Sequence, residues 1–319
     1  MFARVWIQLI LDSKSKDSSS FSFFAKVLVC KLLSFVFRKT FRNKARFTIE
    51  IKKIGSVTEK FKEKKSIRSQ DSETQKSSYP SKEQKSEFVK TNFDKIAKSY
   101  DAFNDLNSFF LHRIWKKELV KELLKEVPNP KTVLDLCTGT GDIALRLSKI
   151  SGLESLQYID FSPEMLQIAK TRFASVNQHI QSIAIPKIGD AMNLKEISAN
   201  SLDAVSIGFG LRNVTEIETT LKEVLRVLKP GGVFLNLDVG KVEGFLKPFA
   251  DFYFFKIVPK LGYLLFRRKE YMFEYLPESS LHFPSQKELK RILESLGFAN
   301  VRFRNFVFGN VALHIARKQ

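Results

Sequence analysis

Three aspartates lie at or just after predicted strands of this 319-residue chain, and their side chains could bind a nucleoside. Asp135 lies in the apolar run TVLDL, Asp160 ends the run LQYID, and Asp190 follows the weaker run SIAIPKIG. The carboxyl ends of parallel strands meet at one edge of a sheet, where ligands bind. A carboxylate placed like Asp160 can accept both ribose hydroxyls, and one placed like Asp190 can accept an adenine amino group. The three acids therefore predict an adenosine site.

The first of these strands enters a turn of small residues, VLDLCTGTGD, which leads into a helix. Gly139, Gly141 and Ala144 match the G-x-G-x-x-A pattern of dinucleotide-binding enzymes, in which a pyrophosphate lies at the helix N-terminus. Here Asp135 and Asp142 flank the turn, and two carboxylates would repel a diphosphate. They suit a ligand with an ammonium and a sulfonium, so the turn favours S-adenosylmethionine over NAD. The alternative for Asp142 is an acid that only complements the helix dipole.

The elements that must position these residues alternate between strand and helix after about residue 89. Strands are predicted at 132–136, 156–160, about 182–189, 202–209 and 231–239, and two more form a closing hairpin around a Gly-Asn turn at 309–310. Ser162 and Pro163 suit a helix N-cap and first helical position. The helical region 88–124 is expected to break near Tyr100–Asn107. This order predicts an α/β doubly wound fold with a mostly parallel sheet.

Positive charge is concentrated in the first quarter of the chain. Residues 1–90 hold 21 of the 53 Lys and Arg residues and 9 of the 34 Asp and Glu residues, which accounts for +12 of the net charge of +19. Residues 52–90 are rich in Lys, Ser and Glu and poor in large apolar residues, a composition typical of disordered linkers. We therefore assign residues 1–86 to a basic, low-complexity N-terminal extension and residues 87–319 to the folded domain.

Residues 1–49 leave three interpretations open. They suit an organelle-targeting segment, an interfacial membrane helix, or a start codon placed too early. The apolar run at 21–37 contains Lys26 and Lys31, and it falls short of the ~20 apolar residues of a membrane span. Its residues match no nucleic-acid-binding module, so no nucleic-acid partner is expected. Cys30 and Cys137 form neither a disulfide framework nor a metal cluster, and no metal is expected.

Six longer motifs make residues 87–318 similar to the quinone C-methyltransferase family, which includes demethylmenaquinone methyltransferase and the polyprenyl-methoxybenzoquinol methylase of ubiquinone synthesis. The motifs are YDAFNDLNSFFLHRIWK (100–116), VLDLCTGTGD (133–142), IGFGLRNV (207–214), VLKPGG (227–232), YLPESSLHFPSQKEL (275–289) and GNVALHIARK (309–318). Many methyltransferases share the turn motif, whereas FGLRNV together with the first motif is specific to this family. The resemblance implies a class I S-adenosylmethionine-dependent methyltransferase fold with a seven-stranded sheet.

The resemblance also implies which residues hold the methyl donor, S-adenosylmethionine. Position 208 is Gly here, where some relatives have Ser, so this chain lacks any side-chain contact from that position. Cys137 replaces the first glycine of the turn motif, and a small packed side chain is the expected role. The residues implied to contact the donor are Thr140, Asp160, Asp190 and Ala191, and those that shape the turn and the methionine end are Asp135, Gly139 and Gly141.

The implied reaction transfers the methyl group from sulfur to a ring carbon of a polyprenyl quinol, which a phenolate makes nucleophilic. Arg212 could stabilise the phenolate or could instead form a salt bridge that holds its loop. His112 could accept a proton or could pack as a structural helix residue. The other candidates for orienting the quinol are Asn213, Tyr100 and Tyr275.

The substrate has two candidates. IGFGLRNV and the compact spacing between strands favour demethylmenaquinol, and a mitochondrial transit segment would favour the benzoquinol of ubiquinone synthesis. Demethylmenaquinol as substrate implies a cytoplasmic enzyme that is peripheral to the inner membrane of a bacterium. The benzoquinol as substrate implies an enzyme on the matrix side of the mitochondrial inner membrane. A homodimer or a quinone-synthesis complex is left open as a partner.

The aromatic insert at about 245–275 is expected to be a helical lid that holds the prenyl tail and contacts a membrane through its basic end, Arg267, Arg268 and Lys269. A core-facing helix pair is the alternative. Two rival functions also remain. One is an NAD-dependent oxidoreductase, and the other is a catalytically silent assembly factor that keeps the methyltransferase fold.

Overall fold

The computed structural model describes residues 80–260 and 272–319, which belong to the unit Ser77–Gln319. The first described helix begins at Lys82, so it includes the last residues of the segment that the sequence analysis assigned to the extension. The rest of that extension, with Cys30, lies outside the described residues. The same holds for the basic end of the expected lid, Arg267, Arg268 and Lys269.

Seven strands of the described residues form one sheet in the order β3-β2-β1-β4-β5-β7-β6. Strands β1 to β5 are mutually parallel, and β7 is antiparallel to both β5 and β6. The predicted doubly wound sheet with a C-terminal hairpin is confirmed. The strands are β1 (Thr132–Leu136), β2 (Ser155–Asp160), β3 (Ala184–Ile188), β4 (Leu202–Gly208), β5 (Leu228–Val239), β6 (Phe298–Phe306) and β7 (Val311–Lys318).

Helices precede the sheet, connect its strands and follow β5. A π-helix (Tyr253–Ile257) and short 3₁₀ turns, among them Leu211–Asn213 after β4, add to them. No helix of the described residues is long and apolar enough to cross a membrane. The helices are α1 (Lys82–Ile96), α2 (Tyr100–Asn107), α3 (Leu111–Glu126), α4 (Asp142–Leu147), α5 (Pro163–Ala174), α6 (Gln178–Ile183), α7 (Ile217–Val227), α8 (Lys247–Phe252), α9 (Met272–His282) and α10 (Gln286–Ser295).

Alternation along β1 shows how the sheet is sandwiched between helices. Leu134 and Leu136 pack in an apolar cluster with α7 and α10, whereas Val133 packs in a second cluster with α3, α4 and α5. Successive strand side chains point to opposite faces, so a central parallel strand is apolar on both sides. Asp135 is the exception on this strand. Its side chain is buried, and its charge must therefore find partners inside the protein.

The predicted break at Tyr100–Asn107 is wrong, because α2 occupies this region. The break comes directly after it, where Phe109 and Phe110 have left-handed φ values of 50° and 63°. Asn and Asp favour turns locally, which is why the sequence suggested an early break. Phe103 in α2 is fully buried against Val258 and Leu276, and this tertiary packing outweighs the local preference.

Candidate active site

A cleft of about 1020 Å³, counted with its open mouth, lies at the carboxyl ends of β1, β2 and β4. The strand order reverses between β1 and β4, and ligands of doubly wound sheets bind at this switch point. The volume suits a cofactor-sized molecule. Gly141, His112, Arg212 and Tyr275 do not line the cleft. The predicted site residues that line it are Tyr100, Asp135, Gly139, Thr140, Asp160, Asp190, Ala191, Gly208 and Asn213.

The turn between β1 and α4 takes the left-handed conformation at alternate residues. The φ values are 54° at Cys137, 58° at Gly139 and 80° at Gly141. A Cβ at Gly139 would meet no atom within 4 Å, so its backbone faces open cleft. Burial raises the pKa of the Cys137 thiol well above its ordinary value, and the nearby carboxylate of Asp160 adds to the rise. A protonated, half-buried thiol fits the expected packing role and is a poor nucleophile.

Gly141 allows the turn to approach α5 closely, and replacing it should be costly. In Gly141→Ala, the new Cβ would lie 2.9 Å from the Cβ of Ala169, at a φ of 80°. We expect the free energy of unfolding to fall by about 2–4 kcal/mol, measured by urea denaturation. Gly231→Ala is the matched control, because its φ is 78° but no atom lies within 4 Å. It should lose only about 1–2 kcal/mol, and equal losses would contradict the role of the close approach.

Asp135 is held by hydroxyl groups. Its two oxygens accept hydrogen bonds of 2.6 Å from the Thr138 and Ser206 hydroxyls. Burial raises the pKa of Asp135 to about 6, although these hydrogen bonds oppose the rise. The side chain therefore ionises more readily when a cationic ligand is next to it.

Asp160 is oriented by two backbone N–H groups. Gly139 donates to Oδ2 at 2.6 Å and Ser162 donates to Oδ1 at 2.9 Å. Ser162 is the N-cap of α5, as predicted: its hydroxyl accepts the N–H of Met165 at 3.1 Å, and Pro163 follows it. Burial raises the pKa of Asp160 to about 6. The turn and the start of α5 thus fix a carboxylate on the cleft wall, where ribose hydroxyls can reach it.

These two raised pKa values predict opposite pH dependences for ligand affinity and for stability. The predicted roles of Asp135 and Asp160 in binding S-adenosylmethionine require both carboxylates to be ionised, so affinity should fall roughly tenfold between about pH 7 and about pH 5. Stability has the other sign. Each folded pKa of about 6 lies above the ordinary value of 3.8, so the folded state binds more protons in this window. The stability that these protons contribute is fully present below about pH 4 and is lost as pH rises through about 6.

Calorimetric titration across this pH range measures the affinity, and urea unfolding of the ligand-free protein measures the stability. Other carboxylates also titrate, so Asp135→Asn is the reference for the second measurement. Its unfolding free energy should depend less steeply on pH between about 4 and 6 than that of the wild type. An affinity that stays constant from about pH 7 to about pH 5 would contradict this assignment.

Asp142 is paired with two cations rather than directed at a ligand. Lys116 Nζ donates to Oδ2 at 3.0 Å, and Arg146 Nε donates to Oδ1 at 3.2 Å. Although burial opposes it, these two cations hold the pKa of Asp142 below its ordinary value. Asp142 also does not line the cleft. The electrostatic argument against a diphosphate therefore rests on the three cleft carboxylates, not on this residue.

Thr140 connects the turn to α2 and α5. Its hydroxyl donates to Asp101 Oδ1 at 2.9 Å, and Arg172 Nη1 donates to its carbonyl oxygen at 3.0 Å. Arg172 also forms an ion pair with Asp101. Neither partner was predicted from the sequence, although Asp101 lies in the motif at 100–116. The network fixes the position of Thr140 on the cleft wall.

The wall next to β3 and β4 carries the remaining residues implied to hold the donor. Asp190 Oδ1 accepts the N–H of Met192 at 2.9 Å, and Ala191 is buried beside it. At Gly208, a Cβ would lie 2.1 Å from Cδ1 of Ile143. The isoleucine therefore occupies the space that a side chain at position 208 would need.

Arg212 forms a buried ion pair with Asp238 at the end of β5. Its Nη1 lies 2.5 Å from Asp238 Oδ1, and the two side chains are 6% and 1% exposed. The Arg212 N–H also donates to this carboxylate at 3.2 Å. The salt bridge that holds the loop is therefore present. Phenolate stabilisation by Arg212 stays a prediction.

The other candidates divide by position. Tyr100 and Asn213 line the cleft, and Asn213 Oδ1 accepts the hydroxyl of the buried Tyr275 at 3.4 Å. His112 is buried away from the cleft, with Nε2 2.8 Å from Asp105 Oδ1. Burial lowers the pKa of His112, and the nearby ammonium of Lys116 lowers it further. The ring is therefore neutral at neutral pH, and its role as proton acceptor stays a prediction.

Helix α1 closes one side of the cleft. Its residues Ser86, Val89 and Phe93 contribute to the lining. Lys85 Nζ donates to the carbonyl oxygens of Arg212 at 3.1 Å and Val214 at 2.7 Å. Burial lowers the pKa of Lys85 to about 8. The helix is thereby joined to the loop after β4, a contact that no local sequence pattern indicates.

The family model described as the ubiE/COQ5 methyltransferase family matches residues 79–318. The chain belongs to this family. Its relatives include the demethylmenaquinone methyltransferase of Leptospira interrogans, which is 53% identical over 235 residues, or 73% of this chain and 94% of the relative. The ubiquinone/menaquinone biosynthesis C-methyltransferase UbiE of Rickettsia typhi is 41% identical over 234 residues, covering 71% and 90%.

The fold is also that of a solved S-adenosylmethionine-dependent methyltransferase from Thermotoga maritima. This structure is 19% identical, covers 72% of this chain and 100% of its own, and has a TM-score of 0.50. The predicted class I methyltransferase fold is confirmed, and so is a methyltransferase activity. The NAD-dependent oxidoreductase was the wrong alternative.

The chemistry of the cleft fits S-adenosylmethionine as the ubiE/COQ5 methyl donor. Three carboxylates line it, Asp135, Asp160 and Asp190, and they suit a ligand with two positive centres and an adenosine. One lysine, Lys116, lines the cleft with them. The expected methyl donor is confirmed by this family membership. Lys116 was not predicted to line the cleft, although it is the last residue of the motif at 100–116.

Proposed function

We propose that the chain methylates a ring carbon of demethylmenaquinol to give menaquinol. One observation carries this proposal: the cleft joins an acidic, adenosine-sized wall to a second wall formed by the FGLRNV loop. Phe209 and Asn213 of that loop line the cleft together with Tyr100. The Leptospira relative, at 53% identity, has the name of the demethylmenaquinone enzyme.

S-adenosylmethionine, when bound, supplies an electrophilic methyl group, and the quinol supplies the ring carbon that accepts it. The residues of the second wall suit such an aromatic diol. Asn213 donates to the Phe209 carbonyl oxygen at 3.2 Å and accepts from Tyr275, so its amide is held in one orientation. Its amide and the Tyr100 hydroxyl can bind quinol oxygens, which aligns the ring carbon with the methyl group. Val89 and Phe93 of α1 keep water from that space.

The benzoquinol of ubiquinone synthesis is the second candidate, because the Rickettsia relative has a name that covers both quinones. Competition between reduced demethylmenaquinol and reduced 2-methoxy-6-polyprenyl-1,4-benzoquinol on the full chain distinguishes them. We expect the larger kcat/KM for demethylmenaquinol, and a preference for the benzoquinol would overturn the choice. Mass spectrometry of the native N-terminus tests the transit-segment alternative, and quinone analysis of a deletion strain tests the pathway.

We further propose that the enzyme docks on a lipid bilayer through the carboxyl edge of its sheet. Pairing of Val239 with Val311 brings the hairpin turn beside the end of β5, and Phe109 packs 6.1 Å from Tyr253, ring to ring. Exposed apolar side chains project from these segments, which we call the apolar rim. Its members are Phe109, Phe110, Ile114, Phe245, Phe252, Val307 and Phe308, between 44% and 77% exposed.

Backbone conformation and charge support a lipid surface as the occupant. Phe109 and Phe110 at one turn, and Val307 and Phe308 at another, have φ between 46° and 63°. A left-handed backbone costs conformational free energy at large apolar residues, and side chains that are exposed to water gain no packing energy to offset this cost. The segment Gly240–Lys260 carries four lysines and two acids, which suits anionic headgroups. A polyprenyl quinol would then enter from the membrane at the same edge as the cleft.

Replacing part of the apolar rim should weaken membrane binding. In Phe109→Ser/Phe110→Ser, partitioning onto vesicles of phosphatidylglycerol and phosphatidylethanolamine should fall about tenfold, measured by co-sedimentation. Ile185→Ser on β3 is the control, because this residue is 42% exposed but pairs with Gln157 in the middle of β2, away from the carboxyl edge. Equal partitioning of all three proteins would contradict the proposal. Dissociation of a homodimer by the first variant would instead assign the rim to a second copy.

A further inference from the structure

Lys116 is the one cation among the described residues that line the cleft. It lies in α3 and is 7% exposed, and lysine is almost never so buried without a partner. Its described hydrogen bond is the one to Asp142 Oδ2 at 3.0 Å. An ammonium has three donors, so this contact leaves two of them for other acceptors.

The partner of Lys116 does not need it for charge balance. Asp142 also accepts from Arg146 at 3.2 Å, and it occupies the first turn of α4, where the helix dipole favours an acid. The side chain of Asp142 is 24% exposed, whereas that of Lys116 is 8% exposed. A purely structural ion pair would leave the cost of burying the ammonium poorly compensated. A bound anion would compensate it.

We propose that Lys116 binds the carboxylate of the methionine moiety of S-adenosylmethionine. This step rests on the proposed function only through its methyl donor. Asp135 and Lys116 both line the cleft, and the Lys116 ammonium acts to lower the pKa of the Asp135 carboxyl, so a zwitterion can place its ammonium toward the first and its carboxylate toward the second. Asp160 and Asp190 stay with the adenosine. The charges of the cleft then match those of the ligand in order.

The pairing gives Lys116 a role in ligand selection. Decarboxylated S-adenosylmethionine has one more net positive charge than S-adenosylmethionine, and three carboxylates in the cleft would otherwise favour it. Lys116 reverses this preference, because its ammonium pairs with the carboxylate that the analogue lacks. The product S-adenosylhomocysteine keeps the carboxylate, so it should bind through the same contact.

Calorimetric titration of the full chain with S-adenosylmethionine and its decarboxylated analogue tests the pairing. The wild type should bind S-adenosylmethionine roughly 10- to 100-fold more tightly than the analogue. Lys116→Met should lose about that factor for S-adenosylmethionine and change by less than about threefold for the analogue. Lys117→Met, which replaces an exposed neighbour outside the cleft, should leave both affinities unchanged.

A structural role would give a different result, in which Lys116→Met weakens both ligands equally, and this would overturn the proposal. If Lys116→Met does not fold, the wild type decides alone, because equal affinity for the two ligands also overturns it. Failure of the proposed function is distinguishable. A wild type that discriminates between the ligands but methylates no quinol refutes the acceptor and leaves Lys116 assigned.

Discussion

Arg212→Met is expected to lower the free energy of unfolding by about 3–5 kcal/mol. The change removes the partner of Asp238, whose side chain is 1% exposed. Without Arg212, the carboxylate stays buried and still pays the free-energy cost of leaving water, but it no longer has the ion pair that offsets this cost. The backbone N–H groups of residue 212, at 3.2 Å, and of Val239, at 2.8 Å, would still donate to the carboxylate, and these two bonds replace little of the lost charge. Urea denaturation with intrinsic fluorescence measures the loss.

Two further variants make this result specific. Lys247→Met removes a cation from the exposed pair with Asp251, where the side chains are 59% and 44% exposed, and should cost less than about 1 kcal/mol. Arg212→Met combined with Asp238→Leu removes both charges and should recover much of the loss. If Arg212→Met were no worse than Lys247→Met, the pair would not hold the loop after β4. Activity of the double variant then shows whether Arg212 also acts on the quinol.

Asp160→Asn should weaken S-adenosylmethionine binding by about 100-fold. The two oxygens of Asp160 accept different N–H groups, from Gly139 and from Ser162. An asparagine has one acceptor oxygen and one donor group, so its amide nitrogen must face one of those N–H groups. The side chain then either turns away from the cleft or breaks the turn, and in both cases the ribose loses its acceptor.

Calorimetric titration gives the affinity of this variant, and circular dichroism checks that it is folded. Asp251→Asn makes the same chemical change on the exposed side of α8 and should bind S-adenosylmethionine like the wild type. An Asp160→Asn protein that is folded and binds within about threefold of the wild type would remove Asp160 from the site.

The strands and the cofactor side of the cleft could be predicted because their signals are local. TVLDL matches β1 residue for residue, and an acid at a strand end needs only the strand to be placed. Ser162 and Pro163 carry their capping role in their own residue types. Parallel strands then bring three aspartates that are distant in the chain to one edge of the sheet. The adenosine site could therefore be predicted from the topology of the sheet, without any detail of side-chain contacts.

The charge partners could not be predicted, because each pair joins residues far apart in the chain. Arg212 and Asp238 are 26 positions apart in the chain, and Lys116 and Asp142 are also 26 positions apart. Nothing in the local pattern around Asp142 shows that a buried lysine from α3 neutralises it. The sequence therefore suggested that this acid faces the ligand, whereas Asp142 does not line the cleft and the nearby Lys116 does.

Helix boundaries near aromatic residues failed for a related reason. Asn and Asp in α2 indicated a turn, but the buried Phe103 holds the region helical. The true break uses left-handed phenylalanines, Phe109 and Phe110, which no turn preference predicts. We attribute these residues to the apolar rim, where contact with a partner rather than local conformation determines the residue type.

The central claim is that this cleft transfers a methyl group from S-adenosylmethionine to demethylmenaquinol. The most direct measurement incubates the full chain with S-adenosylmethionine bearing a trideuterated methyl group and with reduced demethylmenaquinol, followed by mass spectrometry of the quinone. We expect menaquinone that carries the intact trideuterated methyl group on its ring. Demethylmenaquinol recovered without label, from protein that binds S-adenosylmethionine, would contradict it and favour the catalytically silent assembly factor.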